Sequence, residues 1–198
     1  MTIQLFAFDT PNGRKISVAL EEMGLPYEVR VVDITKGEQN DPAFVAISPN
    51  RKIPAIIDTD GPGGRPISVF ESGAILLYLG QKSGRFWPRD IAAQVPVLEW
   101  LMFQMGGFGP NPGQVHHFIA LENEAERRYG LQRFMTETRR LYGVMNERLA
   151  TREHFAGDLS IADFAILGWA WRHPRHKVDL AEFPNVKRWY DALMARPG

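Results

Sequence analysis

The sequence predicts a two-part chain, a small mixed α/β half followed by an all-helical half. Three observations predict it. Short apolar runs and helical patterns alternate in the order β-α-β-(α)-β-β-α within about the first 85 residues. Dense Gly, Pro and Asn punctuation separates them. Beyond residue 90 no convincing strand follows, and long stretches carry apolar residues at helical spacing. The expected division is 1–85 for the mixed half and 90–198 for the helical half.

Each element has its own signal. Ile3 to Phe8 is short, apolar and aromatic, as a strand is. Asp9-Thr10-Pro11-Asn12-Gly13 is a turn, and Ile16, Val18, Ala19 and Leu20 then follow a helical pattern that Gly24 stops. Tyr27 to Asp33 alternates β-branched and polar residues, so a parallel β-α-β unit with a right-handed crossover is expected. Asp41-Pro42 fits an N-cap with Pro at the first helical position, opening a short helix over Pro42 to Ala46. Residues 53–58 and 67–70 read as a hairpin around the Gly/Pro-rich stretch 61–66, and a helix runs from Ser72 to a stop at Gly84.

In the second half, Val95, Leu98, Leu101, Met102 and Met105 mark one helix over 91–105. Leu131, Phe134, Met135, Thr138, Leu141, Tyr142, Met145 and Leu149 mark another over 127–149, about six turns at 3.6 residues per turn. Ser160-Ile161-Ala162-Asp163 has the form of a capping box, with Leu159 and Phe164 at the staple positions. Pro184 opens a last helix that extends to Met194.

Composition narrows the function classes. Lys+Arg and Asp+Glu are equal at 23 each among 198 residues, so the basic excess of a nucleic-acid or acidic-membrane binder is missing. There is no cysteine, which excludes a disulfide scaffold, a Cys-ligated zinc and a Cys nucleophile. The first residues lack the basic-then-apolar pattern of a signal peptide, and no window approaches 18 uninterrupted apolar residues. A cytoplasmic location is expected.

Three loops carry candidate chemistry. Ile53-Pro54 stands just before a strand; were the bond cis, the backbone N–H and C=O of Ile53 would face sideways and could pair with an extended peptide. Glu71-Ser72-Gly73 opens a helix whose unpaired amides suit a carboxylate, with the Ser72 hydroxyl as a further donor and Glu71 as an acceptor for an ammonium. Thr10 and Asn12 lie beyond the carboxyl end of the first strand, where a thiolate could be hydrogen-bonded and its pKa depressed. Taken singly, each is equally a plain turn or cap. His116 and His117 invite a metal reading, but adjacent helical residues point about 100 degrees apart, so no metal site is expected. Trp100, Phe103 and Phe108 read either as a substrate pocket or as core and dimer interface.

Taken together, the chain resembles the glutathione transferase superfamily over its whole length. The resemblance is carried by Thr10-Pro11-Asn12-Gly13-Arg14-Lys15-Ile16, by residues 47–56 (Ile-Ser-Pro-Asn-Arg-Lys-Ile-Pro-Ala-Ile) and by residues 70–79 (Phe-Glu-Ser-Gly-Ala-Ile-Leu-Leu-Tyr-Leu). Residues 100–110 and 113–118 resemble the nu class, which is disulfide-bond oxidoreductase-like and similar also to the yeast nitrogen-regulation prion protein. The resemblance implies a thioredoxin-like first domain, a helical-bundle second domain and a homodimer. It implies glutathione as cosubstrate, with Ile53 on the cysteinyl backbone before a cis Pro54. Glu71 and Ser72 would then hold the γ-glutamyl end, Gln39 and Lys52 the glycyl end, and Thr10 and Asn12 the sulfur. Gln104 and Arg133 are implied as helpers from the helical half. The implied activity is glutathione-dependent disulfide reduction; conjugation to an electrophile and non-catalytic binding are the alternatives. One departure matters. Thr10 stands where related classes carry Ser or Cys, so no mixed disulfide between protein and glutathione can form.

Overall fold

The computed structural model describes residues 3–197. The chain divides into two compact units, one running as far as Pro88 and the other Arg89–Arg196.

The first unit is a four-stranded mixed sheet with three helices. Its elements are β1 (Ile3–Ala7), α1 (Pro11–Met23), β2 (Tyr27–Val31), α2 (Pro42–Ile47), β3 (Ala55–Asp58), β4 (Ile67–Phe70) and α3 (Ser72–Ser83). The strand order is β2-β1-β3-β4, with β1 parallel to β2 and antiparallel to β3, and β3 antiparallel to β4. The parallel β-α-β unit and the hairpin are thus as the sequence indicates. The strands are shorter than the apolar runs suggest. β1 stops before Phe8 because Thr10 N turns back to the Phe8 carbonyl, and β2 ends at Val31, although the buried Val32 still donates its amide to the Ala7 carbonyl at 3.0 Å.

Period-two alternation gives the sheet two faces. Leu5 and its partner Ile56 are fully buried on the side where α1 and α3 pack together. Phe6 and its partner Ala55 point the other way, into a cluster with Val32, Phe44 and Ile47 under α2. Gly13 lets α1 start close against β1, since a Cβ there would lie 2.7 Å from the Phe8 carbonyl oxygen.

The second unit contains α4 (Ile91–Phe103), α5 (Pro110–Ala120), α6 (Glu124–Leu149), α7 (Ile161–Ala170) and α8 (Pro184–Met194). Every residue of α7 is buried, and α7 joins Tyr142, Met145 and Leu149 of α6 and Val186, Trp189 and Leu193 of α8 in one core. Asp163 reaches back to the Ser160 amide at 3.0 Å, as the capping-box pattern indicates. Three features differ from the sequence pattern. A π-helical turn, Gln104–Phe108, follows α4 directly, closed by the Gly109 amide on the Gln104 carbonyl at 2.8 Å. The helix α5 was hidden by its Gly- and Pro-rich start. Finally, α6 begins at Glu124, earlier than its apolar stripe, because Asn123 caps it through the amides of Ala125 and Glu126.

Candidate functional site

Three loops of the first unit form the candidate site. The first is the start of α1. Thr10 is its N-cap, extended at φ −131° and ψ 159°, and its hydroxyl oxygen accepts the Gly13 amide at 3.3 Å. Pro11 sits in the first turn, where a missing N–H costs nothing. Thr10 and Asn12 are both half-buried. The Thr10 oxygen is committed as an acceptor, so its own hydrogen is the half of the group that a sulfur ligand would meet.

The second loop leads into β3. The Ile53–Pro54 peptide bond is cis. The Ser48 hydroxyl donates to the Lys52 carbonyl at 2.8 Å and shapes this loop from within. Lys52 is exposed and Ile53 half-buried. Gln39 lies in a short 3-10 turn, Glu38–Asn40, and its Oε1 is buried with no hydrogen-bond partner among the described residues.

The third loop joins β4 to α3. Glu71 has φ 71°, a left-handed conformation that costs a non-glycine residue about 1–3 kcal/mol and is therefore held by its surroundings. Asn50 is one such holder, donating to Glu71 Oε1 at 3.2 Å. Glu71 is exposed, whereas Ser72, the first residue of α3, is buried.

A residue that the sequence reading passed over links the first and third loops. Lys15 is buried at 1% exposure and donates from Nζ to Ser72 Oγ at 3.2 Å. Burial pushes its ammonium down to about 7, with the nearby Glu71 carboxylate pulling the other way. The signal was present in the helical wheel, because residues 15, 16, 19, 20 and 23 form one buried stripe of α1. A lysine ordinarily reads as a solvent-facing residue, which masked it.

Two expected residues lie in the second unit. Arg133 is exposed on α6, beside a groove of 670 Å³ that it lines with Asn111, Tyr129, Gln132, Phe134, Thr136 and Glu137. Gln104 opens the π-helical turn. It has no exposure, and its side-chain amide packs where a Cβ on Gly109 would approach to 2.9 Å. Its side chain is therefore packed inside its own unit. His116 and His117 diverge as the geometry requires. The His116 ring lies near-parallel to those of Trp169 and His176, at 5.8 and 5.0 Å between centroids, while His117 is exposed and meets Phe118 edge-on. Among the described residues no group of three or more His, Cys, Asp or Glu is placed to hold a metal ion. Trp100 and Phe103 pack against the core to which Phe108 belongs.

The fold agrees with what comparison finds. The glutathione S-transferase N-terminal domain matches residues 10–82, and the C-terminal domain of the same family matches residues 94–197. The chain belongs to the glutathione S-transferase family. Among its relatives in this family, the disulfide-bond oxidoreductase YfcG of Escherichia coli is 45% identical over 98% of this chain and 91% of its own length. A glutathione transferase of Burkholderia graminis, solved with two glutathione molecules per subunit, is 42% identical with a TM-score of 0.92, covering 99% of this chain and 85% of that one. One from Pseudomonas putida, solved with a glutathione disulfide per subunit, is 41% identical with a TM-score of 0.92 over 99% of this chain and 88% of that one. Among the described residues no helix is long and apolar enough to cross a membrane.

Proposed function

We propose that this chain is a glutathione-dependent disulfide-bond reductase in which glutathione is the only thiol. The observation that carries the reading is chemical. The sequence holds no cysteine, yet Thr10 and Asn12 stand at the start of α1, and Lys15 of the same helix reaches Ser72, next to Glu71, at the start of α3. The names and bound molecules of the relatives support it.

In this reading Ile53, before the cis Pro54, pairs with the cysteinyl backbone of glutathione. Ser72 and the first amides of α3 take the γ-glutamyl carboxylate, and Glu71 its ammonium. Lys52 and Gln39 take the glycyl end. Arg133 is a helper from α6. Thr10 and Asn12 hydrogen-bond the sulfur and favour the thiolate. A glutathione thiolate attacks one sulfur of the substrate disulfide; the S–S bond breaks, a mixed disulfide forms, and the other substrate sulfur leaves as a thiolate. A second glutathione thiolate attacks the glutathione sulfur of the mixed disulfide. Oxidised glutathione forms and the second substrate thiolate leaves, so two glutathiones are oxidised and one disulfide is reduced. The protein contributes position and a lowered thiol pKa. The same reading takes the protein as a cytoplasmic homodimer, which light scattering at twice the chain mass checks.

The test sets turnover of hydroxyethyl disulfide beside conjugation of chlorodinitrobenzene, both with glutathione. Disulfide turnover is expected to dominate, to fall about 10- to 100-fold in Thr10→Ala and Asn12→Ala, and to survive alkylation of the protein before fresh glutathione is added. Strong conjugation without disulfide turnover would sink the reductase reading. Glutathione binding that leaves both variants without effect on any turnover would favour a binding module.

A further inference from the structure

Lys15 has no role in the chemistry just described. It is nonetheless the one lysine or arginine classed as buried among the described residues. A surface lysine lays its stem on the protein and sends its charge to water. Lys15 does the reverse. Its stem shares the apolar stripe of Ile16, Ala19 and Leu20, and its ammonium is delivered inward to Ser72 Oγ at 3.2 Å.

That hydrogen bond has a direction. An ammonium has three donors and no lone pair, so Ser72 must accept from it. We propose that Lys15 is a positioning residue for the carboxylate subsite, fixing the Ser72 hydroxyl oxygen at the start of α3 and supplying from beneath the positive charge that a bound α-carboxylate meets. This rests on the reading that a γ-glutamyl carboxylate sits at Ser72. Lys15 needs no contact with the ligand; it acts through Ser72 and through its field.

The charge environment makes the proposal testable. The ammonium titrates near 7, low because of burial and held up by Glu71. The charged groups on the packed elements are few. At the start of α1, Arg14 pairs with Asp9. On α3, Tyr78 and Lys82 are both engaged by Asp58 of β3. β1 and β4 contain no ionisable residue. A carboxylate arriving above Ser72 therefore adds a second anion beside Glu71 and favours the ammonium. Binding takes up a proton once the pH reaches the free value of Lys15, and affinity falls as the pH rises through it. Each pKa unit by which the ligand strengthens the ammonium gives about a tenfold fall.

The experiment is calorimetric titration with S-methylglutathione, which has no thiol to ionise and supports no disulfide exchange. Wild type, Lys15→Met and Lys15→Arg are compared between about pH 6 and 8.5, in two buffers of different ionisation enthalpy. Wild type is expected to take up a fraction of a proton above pH 7 and to weaken at least about threefold toward pH 8.5. Lys15→Met should bind at least about tenfold more weakly at pH 6 and lose the proton uptake. Lys15→Arg keeps its charge throughout, so it should hold affinity and show a flat profile. Wild-type affinity and slope in Lys15→Met overturn the proposal. A wild-type slope in Lys15→Arg also overturns it, and that variant decides if Lys15→Met does not fold. The two readings fail separately. Proton-linked binding without disulfide turnover rejects the reductase and keeps Lys15. Turnover with binding that takes up no proton rejects Lys15 alone, and no binding rejects both.

Discussion

Asp163 is the side chain whose loss the helical unit should feel most, and the structure sets the size of the effect. Its carboxylate is fully buried at the start of α7 and accepts four hydrogen bonds. Oδ1 takes the Phe155 amide at 3.2 Å and the Trp189 indole at 3.0 Å; Oδ2 takes the Ser160 amide at 3.0 Å and the Ser160 hydroxyl at 3.1 Å. Burial pushes this carboxyl upward, against the pull of Trp189, His154 and the Phe155 and Ser160 amides. Protonated or not, it remains the acceptor for those donors. Asp163→Ala strands three N–H groups in the interior. At about 1–3 kcal/mol for each unsatisfied buried donor, the loss is about 3–9 kcal/mol, a large share of a total stability of about 5–15 kcal/mol. Asp163→Asn is milder. Its oxygen can keep Phe155 and Trp189, its amide can donate to the Ser160 hydroxyl, and only the Ser160 N–H is lost, at about 1–2 kcal/mol. Urea unfolding followed by tryptophan fluorescence measures both, since Trp100, Trp169, Trp171 and Trp189 all lie in this unit. Losses below about 1 kcal/mol in both variants, or an Asn variant as damaged as the Ala variant, would refute the assignment of Asp163 as the shared acceptor.

Three further outcomes follow from the packing. His176 is fully buried with its Nδ1 2.9 Å from the Tyr142 hydroxyl, and His116 stacks on it; burial depresses the two rings to about 3 and about 4. Because the folded values lie below the unfolded one, the unfolded chain binds more protons below about pH 6.5, and stability should fall by about 2 kcal/mol per ring by pH 5. Urea midpoints at pH 7.5 and 5 should show the loss, and His176→Gln should remove about half of the slope. Gly130→Ala sets a helix-propensity gain of about 1 kcal/mol against a clash, since the new Cβ would lie 2.2 Å from the Phe118 ring, itself stacked on Phe134. The clash should win, lowering stability by about 1–3 kcal/mol in the same assay. Asn50→Ala releases Glu71 from its 3.2 Å hydrogen bond, and S-methylglutathione should bind it about 3- to 10-fold more weakly with the fold intact by circular dichroism.

How far the sequence discloses this molecule depends on whether a signal is local. The mixed sheet was legible because each strand is an apolar run bounded by turn residues, and each cap is a short-range choice: Thr10, Asp41 and Asp163 all bond within three residues. The α5 helix was not legible, because Pro110, Pro112 and Gly113 stand where a helical pattern would begin, and the π-helical turn before it breaks the period. The site shows the same division. Thr10, Asn12, Ile53, Glu71 and Ser72 sit in loops that punctuation marks. The burial of Gln104 was not legible, because it follows from the close passage of Gly109, a tertiary fact. Lys15 was missed because its partner, Ser72, is 57 residues away.

The missing cysteine and the buried lysine bear on the same question, how a chain without a thiol manages thiol chemistry. A protein nucleophile would be held in place by its own backbone. A borrowed one must be held by the rest of the ligand, so the precision of the sulfur's placement is inherited from the subsites that grip the two ends of the peptide. The γ-glutamyl end is the one whose proposed contacts lie on the same framework as the sulfur site, because Lys15 fastens Ser72 at the start of α3 to α1, the helix that Thr10 caps and whose first turn holds Asn12. A loosened Lys15–Ser72 contact should therefore affect both binding and the orientation of the thiolate. Disulfide turnover in Lys15→Met should then fall further at saturating glutathione than its weakened binding explains. A loss confined to KM, with kcat unchanged, would show that Lys15 serves the carboxylate alone.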